Sequence, residues 1–155
     1  VDPEVCTYSP RPKRYDWCFI GHLGHEREAF LAKLEAAIPN CFHGTAFGKE
    51  ADEIYNQSTL AVNLSRGPDI NMRVFEAQAT SALLITNRLD NGEDELFERL
   101  PLFVSTDDCI AQMRMWLMQP ELTYELARAQ ALDMAAHTYD VRARTLLAAI
   151  GWPGF

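Results

Sequence analysis

Five short apolar runs separated by amphipathic stretches constrain this 155-residue chain more than any other feature of its sequence. Trp17 to Ile20, Asn40 to His43, Leu60 to Leu64, Leu83 to Thr86 and Leu102 to Val104 are too short for helices and too apolar for loops, so they predict strands. The intervening segments carry helical periodicity. Glu26 to Ile38 places Phe30, Leu31, Leu34 and Ile38 on one face, and Lys49 to Gln57 and Asp69 to Thr80 follow. Beyond the last strand come Asp107 to Met118, then Glu121 to Ala136 behind Pro120, and Tyr139 to Ile150 before Gly151 and Pro153. Strands apolar on both faces, alternating with helices, predict an α/β fold: a doubly wound, Rossmann-like parallel sheet of five or six strands with helices on both faces. Ligands of such sheets bind outside the carboxyl ends of the strands, which directs attention to the loops after Ile20, His43, Leu64 and Thr86.

Composition narrows the function classes. Acidic residues outnumber basic ones by 22 to 14, a net charge of −8 that argues against a nucleic acid or anionic membrane surface as partner. No uncharged run approaches the roughly 20 apolar residues of a membrane span. The chain opens on Val1 without an apolar signal stretch, which suggests a cut inside a longer chain. Pro3, Pro10 and Pro12 with Arg11, Lys13 and Arg14 predict a linker over residues 1–14, leaving a domain over 15–150 and a tail over 151–155. Cys6, Cys18, Cys41 and Cys109 are far apart and contain no CxxC pair, which fits a reducing, cytoplasmic compartment. His22 and His25 lack a third ligand nearby in sequence, so no metal site is expected.

The first loop, Gly21-His22-Leu23-Gly24-His25, lacks the spacing of a dinucleotide fingerprint, and no P-loop motif occurs. A phospho-receiver would need acidic residues where this chain has Gly21 and His22, then Ser65 and Arg66. The segment Asn63 to Thr86 is more informative. At about 100° per residue, Asp69, Arg73, Glu76 and Thr80 form one stripe, flanked by Ile70, Val74 and Ala77 on one side and by Met72, Phe75 and Ala79 on the other. A helix start at Asp69 would offer free N–H groups to an anion near Ile70, Asn71 and Met72. Arg73 suits a phosphate, and Glu76 suits the two hydroxyls of a ribose. The alternative is structural: an ion pair between Arg73 and Glu76, with Asp69 as the helix cap.

The run INMRVFEAQATSALLITN resembles the R-x-x-E-A-x-A pattern of the group 1, family-4-like glycosyltransferases of GT-B fold, in the branch that includes spore-maturation-type enzymes. YDWCFIG, EIYNQSTLAVNLSR, ELFE, LFVSTDDCIAQM and HTYDVRA agree with it in order over residues 15–150. The resemblance implies the C-terminal half of a GT-B protein, which binds a nucleotide-diphosphate sugar, a UDP- or GDP-sugar, and needs no cofactor or metal. A separate N-terminal domain, missing here, would bind an acceptor that the residues do not identify. Glu76 then matches the ribose-binding glutamate, and Arg73 and Arg27 face the diphosphate as the catalytic charges. Retention of anomeric configuration is also implied.

Two positions depart from the pattern. Pro68 stands where a second glutamate is usual, leaving Asp69 beside it as the candidate for contact with the donor sugar, and Ser81 stands where glycine is common. The departure at Pro68 keeps open a non-catalytic nucleotide- or sugar-binding module in a larger assembly.

Gly21 and His22 are further candidates for the phosphates or the sugar, and Phe47 and Gly48 for the base. For Phe47 the competing expectation is a cover on the core edge. Asp90, Glu93, Asp94, Glu95 and Glu98 are expected to form a solvated helix start, and Met113, Met115, Trp116 and Met118 to pack in the core or between helices.

Overall fold

A computed structural model describes residues 1–152, the side chain of His25 excepted. Strands β1 (Tyr15–Ile20), β2 (Cys41–Gly44), β3 (Ser58–Asn63), β4 (Leu83–Asn87) and β5 (Leu102–Phe103) form one parallel sheet in the order β2-β1-β3-β4-β5. Helices α1 (His25–Ala37), α2 (Gly48–Asn56), α3 (Met72–Gln78) and α4 (Glu93–Leu96) fill the crossovers, and α5 (Thr106–Leu117), α6 (Pro120–Asp133) and α7 (Tyr139–Ala149) complete the chain. The expected doubly wound α/β fold is present, with five strands.

Successive side chains of a strand point to opposite faces, and here both faces are apolar. Trp17, Phe19, Leu60, Val62, Leu83 and Ile85 pack on one side with Phe30, Leu31 and Leu34 of α1 and with Cys109 and Met113 of α5. Cys18, Ile20, Ala61 and Leu84 pack on the other with Tyr55 of α2, Val74 and Phe75 of α3, and Phe97. Strand β5 is only two residues long and pairs β4 at Thr86 and Asn87, which leaves the backbone of Leu84, flanked by β3 on one side, without a strand on the other. The buried amide of Gln130 on α6 stands in for it, accepting from Leu84 N and donating to the Leu84 and Arg99 carbonyls. A buried backbone group left unpaired would cost about 1–3 kcal/mol, so this one side chain lets the sheet end early.

Several boundaries differ from expectation. Helix α3 begins at Met72, not Asp69, because Asn71 caps it by accepting from Arg73 N. It ends at Gln78, where the Thr80 hydroxyl turns back to the Ala77 carbonyl. Helix α6 stops at Asp133 and passes into a 3₁₀ turn over Met134–His137. Among the methionines expected to pack, Met113 is buried but Met115 and Met118 are exposed. Glu93 is buried rather than solvated: its carboxylate accepts from the N–H groups of Leu89, Asp90 and Asn91. Residues 1–14 form neither helix nor strand, yet they are packed in place. The Lys13 ammonium donates to the carbonyls of Asn56, Ser58 and Ser81. Among the described residues no helix is long and apolar enough to cross a membrane. The tail beyond Trp152 lies outside the described residues.

Candidate functional site

The strand order reverses between β1 and β3, and at such a switch point the loops leaving the carboxyl ends diverge to open a crevice. Beside it lies a cleft of about 170 Å³ lined by Ile20 of β1, Ala46 and Phe47 from the β2–α2 loop, Gly48, Ala51 and Tyr55 of α2, and Met72, Arg73 and Glu76 of α3. Val5 and Cys6, from the segment expected to be a linker, close one side. The Cys6 thiol is pushed up to about 12, first by burial and then by the charges of Glu76 and Asp52, so it lines the wall as a neutral apolar group.

Of the four residues expected in one stripe, α3 presents Arg73 and Glu76 to the cleft. Asp69 lies in the exposed turn before the helix, and Thr80 is buried beyond its end. Asp69 is therefore not the cap. The structural alternative also fails, because among the described residues Arg73 and Glu76 form no ion pair with each other. The expected anion site at Ile70, Asn71 and Met72 is altered by the shorter helix. Ile70 packs against the core. The Asn71 amide donates to Ser65 Oγ and Asn63 Oδ1, so its polar atoms are engaged internally. Met72 is partly exposed on the cleft wall.

Three arginines meet around the first loop. Arg27 is 8 % exposed, and its guanidinium donates twice to the Leu64 carbonyl and once to that of His22, using three of its five N–H groups. It thereby ties the loop after β1 to the loop after β3. Its pKa is lowered first by burial and then by the positive charges of Arg66 and Arg73, which places all three cations in one electrostatic neighbourhood. Gly24 makes room for one of them, since a side chain there would overlap the Arg66 guanidinium, whereas a side chain at Gly21 would press on the Phe19 ring at 3.0 Å and only touch Arg73 Nε at 3.5 Å. Among the described residues neither Arg66 nor Arg73 has a carboxylate partner. His22 is exposed on the same loop.

Phe47 is 73 % exposed at the cleft mouth, so it does not cover the core edge. Gly48 follows with φ +54°, the left-handed region that favours glycine, and α2 starts there. Sequence reasoning missed Arg66 as a site residue, together with Asn63 and Ser65, which hold its loop. Asn63 donates to Ser65 Oγ and Thr86 Oγ1, and Ser65 N donates to Asn87 Oδ1. The available signal was the polar end of an otherwise apolar strand, Asn63-Leu64-Ser65-Arg66.

A parallel sheet in this order, with a cleft walled by Arg73 and Glu76 at its carboxyl edge and two further arginines near Arg73, is a Rossmann-like domain of the kind that forms the C-terminal half of GT-B proteins. The chain belongs to the glycosyl transferase-like family, whose family model matches residues 22–148, and its fold is that of a group 1 C-terminal domain. Among solved structures it resembles the C-terminal domain of a group 1 family glycosyl transferase from Francisella tularensis, at 15 % identity, TM-score 0.65, 90 % of this chain and 98 % of that one. It also resembles TarM, at 9 % identity and TM-score 0.63, covering 92 % of this chain and 36 % of that one. Sucrose-phosphate synthase from Thermosynechococcus elongatus matches at 12 % identity and TM-score 0.56, covering 86 % of this chain and 39 % of that one. The chain thus spans little more than a third of these last two proteins, and at such identities the likeness concerns the fold. No curated protein sequence matches.

Proposed function

We propose that the cleft binds the donor of a glycosyl transfer, a nucleotide-diphosphate sugar. The observation that carries this reading is the group of Arg27, Arg66 and Arg73 around a glycine-spaced loop, with no carboxylate partner for Arg66 or Arg73 among the described residues. Holding like charges together is unfavourable unless an anion joins them, and a diphosphate carries the charge and the acceptor atoms to do so. Glu76, on the wall shared with Arg73, accepts the ribose hydroxyls, and Phe47 offers a ring to the base of a UDP- or GDP-sugar. A cleft of about 170 Å³ is smaller than the ~300–1,000 Å³ of a complete ligand pocket, which supports a site completed from another domain of a longer chain.

When the bond from the anomeric carbon to the β-phosphate oxygen breaks, negative charge grows on the leaving diphosphate. Cations already in place stabilise it without reorganising. The acceptor, retention of configuration, the spore-maturation branch and a cytoplasmic location belong to the same reading, the last supported by four free cysteines. Pro68, in the exposed turn where the family pattern has an acid, supports the second reading, a binding module without transfer.

Titration calorimetry with UDP and GDP tests the site. One of them should bind, and Glu76→Ala and Arg73→Ala should each weaken it by about 1.5–3 kcal/mol, with melting unchanged. The Arg73 variant should lose far more affinity for the diphosphate than for the nucleoside. Equal losses for both ligands, or no binding by the parent chain, would overturn the assignment.

A further inference from the structure

On the face of the sheet opposite the cleft, Glu35 of α1 and Cys41 and His43 of the edge strand β2 bring three ligand atoms within 4.8 Å of one another. We propose that these three residues form a binding site for a zinc-class divalent cation. The topology explains the convergence. Cys41 and His43 are two apart on a strand, so they share a face, and α1 lays Glu35 over that face. Zinc bonds of about 2.0–2.3 Å in tetrahedral array set neighbouring ligand atoms roughly 3.3–3.7 Å apart. His43 Nε2 already stands 3.2 Å from Glu35 Oε2, so a small opening of this pair, with a swing of the Cys41 side chain, seats the ion.

The imidazole is oriented beforehand. It stacks on Trp17 with ring centroids 6.3 Å apart and planes 15° from parallel. The Glu35 contact satisfies only one edge of the ring, since Nδ1 is buried without a hydrogen-bond partner. Thiolate, imidazole and carboxylate together select zinc over magnesium or calcium, which take oxygen ligands. On binding, the Cys41 thiol releases its proton to solvent and the sulfur bonds the metal, and water takes the fourth position. The ion would brace α1 against the sheet edge, just ahead of the loop that carries Phe47. It is independent of His22 and His25, the pair from which no metal site is expected.

The test uses the 155-residue chain freed of metal with a chelator. One equivalent of Zn²⁺ should bind, and at about a hundred times its dissociation constant it should raise Tm by roughly 5–10 °C. Co²⁺ should produce a thiolate-to-metal charge-transfer band. Cys41→Ser should abolish the band, His43→Gln and Glu35→Gln should each weaken Zn²⁺ binding at least tenfold, and His22→Asn should leave both unchanged. Circular dichroism confirms that each variant is folded, and Glu35, being exposed, is the substitution least able to disturb the core. No Tm rise and no band in the parent chain, a band that survives Cys41→Ser, or one lost in His22→Asn would overturn the site.

Discussion

Two loops at the carboxyl edge of the sheet gather charge in opposite ways. After β4, the Glu93 carboxylate is sealed inside by three backbone N–H groups, and its demand for partners is met within the fold. After β1 and β3, Arg27, Arg66 and Arg73 stand together, and among the described residues the last two have no anionic partner, although the chain as a whole carries −8. A charge whose partners are complete stabilises the fold and has nothing left to offer a ligand. Charges crowded without a counter-ion gain most when an anion arrives. Arg27 lies between these cases, because it is both buried in carbonyl contacts and a member of the cationic group.

Arg27→Ala is therefore expected to have the largest effect. It removes three charge-assisted hydrogen bonds and leaves the Leu64 and His22 carbonyls short of a donor, for a loss of about 2–4 kcal/mol and a drop of roughly 5–15 °C in Tm. Nucleoside diphosphate binding should fall with it. Arg27→Lys keeps the charge but not the fork of donors, so it should recover less than half of the stability. Thermal melting with calorimetry separates the two roles, and an unchanged Tm would make Arg27 a ligand of phosphate alone.

Glu93→Gln tests the other side of the contrast. Burial raises the pKa of this carboxylate, but the surrounding backbone N–H groups outweigh burial and bring it down from 4.5 to about 2. A depressed carboxylate contributes stability that is present above its unfolded pKa and is lost as pH falls through the folded value. The parent chain should accordingly weaken between about pH 4.5 and 2. The variant should be less stable at pH 7 by about 1–3 kcal/mol, with a flatter acid limb and with nucleoside diphosphate affinity unaltered. Urea midpoints at pH 7 and pH 2 measure this, and a gap between parent and variant that persists undiminished at pH 2 would contradict it.

The same contrast explains what the sequence discloses. The strands are legible because both faces of each are apolar and their spacing is regular, so the doubly wound sheet follows from local pattern. Arg73 and Glu76 are legible because three residues along a helix share a side. Arg66 is not, since its role depends on a turn through Gly67 (φ +67°) that folds it over Gly24. The early strand end at β5 and its replacement by Gln130 join residues 46 apart. The burial of Glu93 is equally hidden. In sequence it is one acid among several near a helix start, and only the left-handed Asp90 (φ 57°) and Gly92 (φ 92°) wrap the N–H groups around it. Helix α3 is overextended by periodicity because Asn71 draws its amide partners from β3 and the following loop, which a helical wheel does not contain.

The smallest predicted effect falls on Phe47, and it sharpens the comparison by lying outside both charge groups. Its ring is 73 % exposed, so truncation creates no cavity, and Phe47→Ala should change stability by no more than about 0.5 kcal/mol. If the ring stacks on the base, the loss in binding is set by base–aromatic stacking, about 1–3 kcal/mol, with an exposed ring at the lower end. About fivefold weaker binding of UDP or GDP is the expected result. Inorganic pyrophosphate, which has no base, should bind the variant as it binds the parent, whereas Arg73→Ala should weaken pyrophosphate and nucleotide alike. The two substitutions thus divide the ligand into its base and its phosphates. Pyrophosphate binding that falls in Phe47→Ala as much as UDP binding does would mean that Phe47 shapes the loop rather than the base contact.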